Sequence, residues 1–332
     1  MKKLRKLLFR IFIILLAFVV ALSIYLDTIL NKMDREKTNK NELNITEQFK
    51  KTHKNRHVKN IALFGVDNDG NDTTSLDEAR SDAIKIISLD YDERKIKITS
   101  IERDLVVYIP GEHQDYGHLN WAYAFGGAKL ALQTLNYNFD LDLENYVTIS
   151  FGSLEYLVDR IGGVDIYLTN AEINQTSAPL NINGPEGVYT LNGAQALSYS
   201  RIRKIDSDFA RMDRQNAVIT AAIAKMKTMN PADIINVISD MMPYINTNLS
   251  NNQIKTLLAE MIIFDTNNIE TYKEPSGELF DLYDAASIGG NYVSSYVDMV
   301  KNLHKNIYGI DDYDPSQTIK DTETEILSRY AY

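Results

Sequence analysis

The chain has 332 residues, of which 44% are hydrophobic and 24% are charged, with 16 glycines and 7 prolines. This is an ordinary globular composition, so it excludes collagen-like, low-complexity and wholly disordered chains. The length suffices for one large domain or two modest ones, with a core well beyond marginal size. There is no cysteine, which excludes a disulfide scaffold, thiolate metal sites, iron–sulfur clusters and a cysteine nucleophile.

The charge is distributed unevenly along the chain. The net charge is −10, yet residues 1–26 contain five basic and no acidic side chains, so the remainder carries 30 basic against 45 acidic side chains, a net of −15. Nucleic-acid binding depends on many Lys and Arg side chains that neutralise phosphates. A body this acidic therefore predicts no nucleic-acid partner, and an anionic ligand must be met by a local cluster of arginines.

Residues 7–26 (LLFRIFIILLAFVVALSIYL) form an apolar stretch with one charge, Arg10. At ~1.5 Å rise per residue, about 20 helical residues span the ~30 Å of a bilayer core. The basic tail at residues 1–6 precedes the stretch, so the positive-inside rule places this tail in the cytoplasm and everything after the stretch outside. A cleaved signal peptide is the alternative, but no A-x-A site follows. We therefore expect an uncleaved, single-pass transmembrane signal-anchor.

The segments on either side of the predicted domain are polar. Residues 27–57 are rich in Lys, Asn, Glu and Thr, which predicts a juxtamembrane stalk that is too polar to build a core of its own. Residues 311–332 predict a polar C-terminal tail. Between them, residues 58–310 consist of short apolar runs separated by polar or glycine-containing turns, which predicts a folded extracytoplasmic domain.

Within this domain, apolar and β-branched runs predict strands at 58–66, 83–89, 96–101, 105–109, 146–149 and 164–168. Amphipathic spacing predicts helices at 121–135, 153–161, from 208 to Pro231, twice within 232–262, and near 292–303. Residues 170–189 predict a long loop. The run 146–168 has the strand–helix–strand spacing of a βαβ unit, and the alternation as a whole predicts an α/β layered domain.

The motif search narrows the chemistry to arginines and aspartates. The five histidines lack a metal-binding spacing such as H-E-x-x-H, and there is neither a G-x-S-x-G elbow nor a P-loop. Arginines, aspartates and one glutamine lie instead at the ends of predicted elements: Asp67, Arg80, Asp82, Arg103, Asp104, Arg201, Arg203, Asp208, Arg211, Arg214 and Gln215. Taken singly, any such pair would be an ordinary surface salt bridge.

Taken together, these residues indicate a phosphate site. Several bidentate guanidinium groups suit a pyrophosphate, and neighbouring aspartates suit Mg²⁺ shared with substrate phosphates. Arg80 and Asp82 are two residues apart, so an extended backbone places both on one face. Arg201 and Arg203 converge only if the segment between them is extended with Ile202 facing the core.

These residues belong to motifs that follow one another across about 60–228: residues 63–67 (LFGVD), 80–83 (RSDA), 100–104 (SIERD), 119–123 (LNWAY), 158–164 (VDRIGGV), 191–197 (LNGAQAL), 201–203 (RIR) and 208–215 (DFARMDRQ). In order and number they resemble the LytR-CpsA-Psr family of wall-polymer ligases. The resemblance implies an α/β/α layered sandwich around a central mixed β-sheet, preceded by one N-terminal transmembrane helix. It also implies an apolar pocket for a polyprenyl chain and an arginine-lined mouth for its pyrophosphate.

The resemblance further implies a reaction. Such proteins are phosphotransferases that move a glycopolymer (teichoic acid, capsule or other wall polysaccharide) from a polyprenyl-pyrophosphate carrier to a peptidoglycan hydroxyl, forming a phosphodiester. The implied cofactor is Mg²⁺, and the implied location is the cell membrane of a Gram-positive bacterium, with the catalytic domain outside. The partners would be the lipid-linked glycan, peptidoglycan and membrane lipid.

Site roles follow from the resemblance position by position. Asp67 and Asp82 match the family's Mg²⁺-associated acids. The matched pyrophosphate-binding set is Arg80, Arg103, Arg201, Arg203, Arg211, Arg214 and Gln215, and the residues expected to carry catalysis are Asp82, Arg103, Arg201 and Arg203. One position departs from the family: Glu102 stands where proline is usual, and its carboxylate is expected to compete for the Arg103 guanidinium.

Two alternatives stay open at this point. One is a pyrophosphatase that acts on the same lipid with water as acceptor. The other is a non-catalytic, membrane-anchored regulator or lipid-binding protein. The complete arginine and aspartate set favours catalysis, while either aspartate could accept the proton of the attacking hydroxyl.

Overall fold

The structure, a computed structural model, describes residues 13, 21–54, 56–67, 79–203, 205–276 and 281–331. In chain order its strands are β1 (Asp34–Arg35), β2 (Val58–Asp67), β3 (Arg80–Asp90), β4 (Lys95–Ile101), β5 (Val106–Ile109), β6 (Asp115–His118), β7 (Asn145–Ser150), β8 (Val164–Leu168), β9 (Gly187–Leu191), β10 (Ile245–Thr247), β11 (Asp265–Glu274), β12 (Leu282–Ala285) and β13 (Gly290–Val293). Its α-helices are α1 (21–30), α2 (Glu47–Thr52), α3 (Leu119–Phe139), α4 (Phe151–Arg160), α5 (Asn170–Asn174), α6 (Gly193–Ser200), α7 (Asp208–Lys227), α8 (Pro231–Met241), α9 (Asn251–Glu260), α10 (Tyr296–Tyr308) and α11 (Gln317–Tyr330).

A seven-stranded sheet lies at the centre, in the order β1-β10-β7-β2-β3-β4-β11. β7 pairs with β2 in parallel, β3 is antiparallel to both β2 and β4, and β4 pairs with β11 in parallel. The sheet is therefore mixed, as expected. The predicted strands at 58–66, 83–89 and 96–101 are confirmed as β2, β3 and β4, three adjacent strands of the sheet.

The alternating residues of β2 show how the sheet divides the domain into layers. Ala62, Phe64 and Val66 are buried in the main core with side chains of α3, α10 and α11. Leu63 and Gly65 point to the opposite face, where they line a cavity together with side chains of α4 and α7. Helices thus cover both faces of the sheet, which confirms the α/β/α arrangement.

The predicted βαβ unit at 146–168 is wrong. β7 and α4 form where expected, but β8 pairs antiparallel with β9 in a separate two-stranded sheet. The burial of β8 alternates strictly, with Val164, Ile166 and Leu168 buried and the residues between them exposed. A parallel strand inside a covered sheet is apolar on both faces, so this alternation suits a small sheet with one solvent-facing side. The predicted loop at 170–189 accordingly contains α5 and the start of β9.

The predicted polar stalk and tail both contribute to the core. In the stalk, Leu43 and Phe49 are buried against the main core, and Thr46 caps α2 by accepting a hydrogen bond from the Phe49 backbone N–H at 3.1 Å. In the tail, Ile319 and Ile326 of α11 are fully buried in the same core. Neither segment builds a core of its own, but a few correctly spaced apolar residues suffice to dock a helix on the core that the rest of the chain builds.

The predicted membrane span at residues 7–26 lies largely outside the described residues, which include only residue 13 and residues 21–26 of it. Within the described ranges, no helix combines the length and the apolar character that crossing a bilayer requires.

Candidate functional site

The predicted arginines and aspartates lie together at one end of the central sheet, where β2 ends and β3 begins. A cleft of about 250 Å³ lies at the end of β2, the start of β3 and the first turn of α4; we call it the arginine cleft. It is lined by Asp67, Asp82, Phe151, Ser200, Arg201, Arg203, Arg211 and Gln215. The helices α4 and α7 both begin at this end of the sheet, so the positive ends of their peptide dipoles favour an anion there.

Arg201 and Asp67 form one side of the arginine cleft. Arg201 Nη2 donates to Asp67 Oδ1 at 2.7 Å, and its guanidinium carbon lies 5.0 Å from the centre of the Phe151 ring, within range of a cation–π contact. Arg201 caps the C-terminus of α6, and the following Ile202 is fully buried. Ile202 faces the core as expected and Arg201 and Arg203 both line the cleft, but the expected extended backbone is wrong, because Arg201 has helical dihedral angles (φ −102°, ψ −2°) at the end of α6.

Asp82 forms the other side, on a β-bulge. Gly65 pairs with Ala83 whereas Val66 pairs with Ser81, so Asp82 is an extra residue in β3, and a bulge of this kind re-aims the side chain. Arg103 Nη1 donates to Asp82 Oδ1, and Arg203 Nη2 lies 3.8 Å from Asp82 Oδ2.

Arg103 stands behind Asp82 rather than among the residues that line the cleft. Its Nε also donates to Asp104 Oδ2 at 3.2 Å. Its side chain is only 13% exposed, so it orients Asp82 from the protein side.

Arg211 supplies unused hydrogen-bond donors. Its side chain is 3% exposed, and Nη2 donates to Asp208 at 2.5 Å. Nε and Nη1 are buried and have no hydrogen-bond partner in the described part of the chain. Burial and the neighbouring guanidinium groups of Arg103 and Arg203 lower the pKa of Arg211 against the opposing effect of Asp208. Unpaired buried donors are costly, and an anion in the arginine cleft would satisfy them.

The remaining predicted phosphate ligands differ in position. Gln215 lines the arginine cleft. Arg80 is exposed on β3 directly opposite Asp67, so it lies at the rim of the cleft. Arg214 lies elsewhere: its guanidinium donates to Glu172 Oε1 at 2.8 Å and to the Asp206 carboxylate. It therefore ties α7 to α5 and to the loop before α7, and its donors are already used.

The expectation that Glu102 competes for Arg103 is wrong. The Glu102 side chain is 1% exposed, and Arg103 pairs with Asp82 and Asp104 instead. Burial, followed by the adjacent Asp208 carboxylate, raises the pKa of Glu102 to about 8. The carboxyl thus turns into the protein, towards α7.

Two apolar cavities continue from the arginine cleft along the covered face of the sheet. The inner cavity, about 40 Å³, shares Phe151, Ser200 and Gln215 with the cleft and is otherwise lined mainly by apolar side chains of β2, β7, α4 and α7. The outer cavity, about 310 Å³, is lined by Ile61 and Val147 of the same two strands together with apolar residues from α1, α8 and α9. A polar mouth therefore adjoins an apolar interior at Phe151.

Sequence reasoning missed Lys85, which lies at the inner cavity. It is fully buried, and Nζ donates to Ser100 Oγ at 2.8 Å and to Asn216 Oδ1 at 2.7 Å. Burial, with Arg211 nearby, lowers the pKa of Lys85 to about 7. A lone lysine inside the apolar run of β3 was the signal in the sequence. Phe151 was also missed, and its place two residues after the predicted strand at 146–149 was its signal.

The arginine cleft offers two carboxylates to a metal ion. Asp67 and Asp82 both line it. No cluster of three or more His, Cys, Asp or Glu side chains suited to a metal ion occurs in the described part of the chain. The pair suits a cation that also takes oxygen ligands from a phosphate.

Comparison with known proteins agrees with this architecture. The profile of the LytR_cpsA_psr family matches residues 19–305. A relative from Enterococcus faecalis, the polyisoprenyl-teichoic acid–peptidoglycan teichoic acid transferase TagU, is 30% identical over 269 residues, which cover 77% of this chain and 82% of the relative.

Two solved structures share the fold. Protein gbs0355 from Streptococcus agalactiae superposes with a TM-score of 0.66 at 25% identity, covering 82% of this chain and 92% of that one. TagT from B. subtilis superposes with a TM-score of 0.58 at 25% identity, covering 76% and 91%. Family profile, relative and fold agree with the motifs and with the cleft they build, and the chain belongs to the LytR-CpsA-Psr family.

Proposed function

We propose that this protein transfers a glycopolymer from a polyprenyl-pyrophosphate carrier to a hydroxyl of peptidoglycan. The observation that carries the proposal is the set of three arginines, Arg201, Arg203 and Arg211, that line one cleft. Arg211 also keeps two buried nitrogens, Nε and Nη1, without a hydrogen-bond partner in the described part of the chain. Three guanidinium groups around one cavity suit a diphosphate. Membership of the family and similarity to a relative named as a teichoic acid transferase support the substrate class.

The apolar cavities support a lipid carrier. The inner cavity begins at Phe151, where the arginine cleft ends, and the outer cavity follows the same face of β2 and β7. A diphosphate held in the cleft would leave an attached prenyl chain next to this apolar surface, whose burial is favourable at about 25 cal/mol per Å².

The proposed reaction is an in-line displacement at phosphorus. The oxygen of the acceptor hydroxyl forms a bond to the phosphorus that carries the glycan, the bond from that phosphorus to the bridging oxygen breaks, and polyprenyl phosphate leaves with the electron pair. Arg201, Arg203 and Arg211 hold the diphosphate and neutralise the charge that grows on the leaving phosphate. Asp67 or Asp82 accepts the proton of the hydroxyl. Arg103 keeps Asp82 in place.

We further propose Mg²⁺ as the cofactor, held by Asp67 and Asp82. Mg²⁺ is usually bound through one or two carboxylates together with substrate phosphates, which is the donor set that the cleft offers. When bound, the ion would neutralise phosphate charge. Chelation by EDTA, and Asp82→Asn, should each abolish transfer while circular dichroism shows an intact fold. Full activity in both would remove the metal from the proposal.

The membrane location is part of the same proposal, with residues 1–6 in the cytoplasm, residues 7–26 in the bilayer and the domain outside. Protease added to intact protoplasts should then degrade the domain. A protected domain would reverse the orientation and contradict a role in wall assembly.

The decisive experiment follows the products of a radiolabelled lipid-linked glycan with and without peptidoglycan. Transfer predicts label in peptidoglycan and release of polyprenyl phosphate only when acceptor is present. Release of glycan phosphate with water as acceptor, in the absence of peptidoglycan, would establish the pyrophosphatase alternative. Binding of the lipid with no product in either arm would establish the non-catalytic alternative.

A further inference from the structure

Glu102 is a buried acid that the proposed reaction does not use. It follows β4 directly, its backbone N–H donates to the Glu274 carbonyl at 2.8 Å, and its side chain is 1% exposed. Oε1 accepts a long hydrogen bond of 3.3 Å from the Asp104 backbone N–H. Oε2 is buried with no hydrogen-bond partner in the described part of the chain. A carboxylate in this position would leave a full charge almost unsolvated, which is strongly unfavourable.

The neighbour of this carboxyl group is a second acid. Asp208, the first residue of α7, lies within hydrogen-bonding reach of Glu102 and pairs through Oδ2 with Arg211 Nη2 at 2.5 Å. Two carboxyl groups in contact cannot both ionise cheaply. If Glu102 is protonated on Oε2, its hydroxyl donates a hydrogen bond to the Asp208 carboxylate. Oε2, which otherwise has no partner in the described part of the chain, is then hydrogen-bonded.

The other charged groups around Glu102 do not displace the proton from its carboxyl group. Asp104 contacts it through the backbone, and the Asp104 carboxylate pairs with Arg103. Glu274 contacts it through the carbonyl, while the Glu274 carboxylate accepts from Asn302 and Asn306 of α10. Arg211 is the cation that acts on Glu102, and its effect on the Glu102 pKa is smaller than the effects of burial and of Asp208.

We propose that Glu102 is a positioning residue that, as a neutral acid, donates a hydrogen bond to Asp208 and so holds Arg211 with Nε and Nη1 free for the diphosphate. This inference rests on the proposed function for its ligand. Because the pKa of Glu102 is raised to about 8, ionisation occurs above that pH. The new carboxylate then repels Asp208, competes with the ligand for the free N–H groups of Arg211, and adds negative charge beside the anion site.

The experiment measures the affinity of the Mg²⁺ complex of inorganic pyrophosphate by calorimetry from about pH 7 to about pH 9. One pH unit above a pKa the ionised form predominates about tenfold, so wild-type affinity should fall ~10-fold relative to Glu102→Gln, whose amide donates to Asp208 at every pH. At about pH 7 the two proteins should agree within about twofold. The Glu102→Gln curve also records the ionisation of pyrophosphate itself.

Glu274→Gln is the matched control. Glu274 is equally buried, and burial raises its pKa to about 8 as well, but its carboxylate faces α10 instead of Arg211. The alkaline loss should persist in Glu274→Gln and disappear in Glu102→Gln. An alkaline loss that persists in Glu102→Gln, or that disappears in Glu274→Gln, would overturn the inference.

Two further measurements test the inference if the first experiment fails. If Glu102→Gln fails to fold, the infrared C=O band of a protonated carboxyl in Glu274→Gln should still vanish between about pH 7 and about pH 10, and its absence at pH 7 would refute a neutral Glu102. Pyrophosphate binding without any transfer activity would contradict the proposed function while leaving the role of Glu102 intact.

Discussion

At the scale of single residues, similar arginines have different roles because their surroundings differ. Arg201 and Arg160 are both 43% exposed and each pairs with one aspartate. Arg201 lines the arginine cleft beside Arg203, whereas Arg160 pairs with Asp240 on α8, outside the residues that line the cleft. An exposed ion pair contributes about 0–1 kcal/mol to stability. Exposure and pairing alone therefore do not distinguish a ligand-binding arginine from a surface one.

The first prediction concerns the two cleft arginines. Arg201→Ala and Arg203→Ala should each lower transfer of a lipid-linked glycan ~10- to 100-fold, since a charge-assisted hydrogen bond contributes roughly 1.5–3 kcal/mol. Arg203→Lys should be impaired less than Arg203→Ala, because the charge remains while the planar fork is lost. The measurement is label transferred per minute, with melting temperatures taken in parallel.

Arg160→Ala serves as the matched control and should retain wild-type transfer. Wild-type turnover in both Arg201→Ala and Arg203→Ala would show that these side chains do not bind the diphosphate. An equal loss in Arg160→Ala would point to a general effect of removing surface charge.

At the scale of elements, a contact between two histidines joins the end of α2 to α10. His53 follows α2 and His304 lies on α10, with His304 Nδ1 3.0 Å from His53 Nε2. His53 stacks on Phe49, and His304 stacks on Tyr313 at 3.7 Å between ring centres. Burial lowers the pKa of His53 to about 4 and that of His304 to about 3. The contact thus depends on neutral rings.

The second prediction is that acid weakens this contact. In the unfolded chain both histidines take up a proton near pH 6.5, whereas in the folded protein they stay neutral down to about pH 4 and 3. Because the unfolded state binds more protons in this window, the free energy of unfolding should fall by about 1.4 kcal/mol per pH unit per histidine as pH drops below ~6.5.

Urea unfolding at about pH 7, 6 and 5 measures this slope. His53→Gln should show a clearly smaller slope than the wild type, although it is less stable at pH 7. Equal slopes in the two proteins would mean that His53 does not titrate between the folded and unfolded states.

At the scale of the whole molecule, the segments that flank residues 58–310 complete the fold. α2 from the predicted stalk and α11 from the predicted tail both place side chains in the main core on the α3 and α10 face of the sheet. The chain also gains β1, which pairs with β10 at the edge of the central sheet. The folded unit is therefore larger than the domain that the apolar runs outline.

The third prediction is that a protein limited to residues 58–310 is much less stable than one that spans 21–332. Ile319 is fully buried on α11, so the point substitution Ile319→Ala should by itself lower the free energy of unfolding by about 2–5 kcal/mol. Thermal and urea denaturation measure both effects.

Val188→Ala is the control for trimming an aliphatic side chain. Val188 is 68% exposed, so its loss should change stability by less than about 0.5 kcal/mol. A truncated protein as stable as the longer one, or an Ile319→Ala protein that behaves like Val188→Ala, would mean that α11 contributes nothing to the core.

Much of this protein follows from local sequence. The apolar runs of β2, β3 and β4 are long and regular enough to be identified individually, and the arginines and aspartates at their ends are recognisable as a phosphate site from residue chemistry. The local sequence left the convergence of Arg201 and Arg203 conditional on an extended backbone, and the structure brings both into the cleft from a turn at the end of α6 instead.

Tertiary packing decided the rest, because the partners of a side chain come from elements far apart in the chain. Glu102 turns towards Asp208, more than a hundred residues later, and Arg214 is used by Glu172 and Asp206. Arg211, in contrast, keeps buried donors that have no partner among the described residues. β8 lies outside the central sheet because it pairs with β9, whose first residues fall in the predicted loop. Composition identifies which groups can carry charge, but burial and long-range contacts determine which of them remain free to bind a ligand.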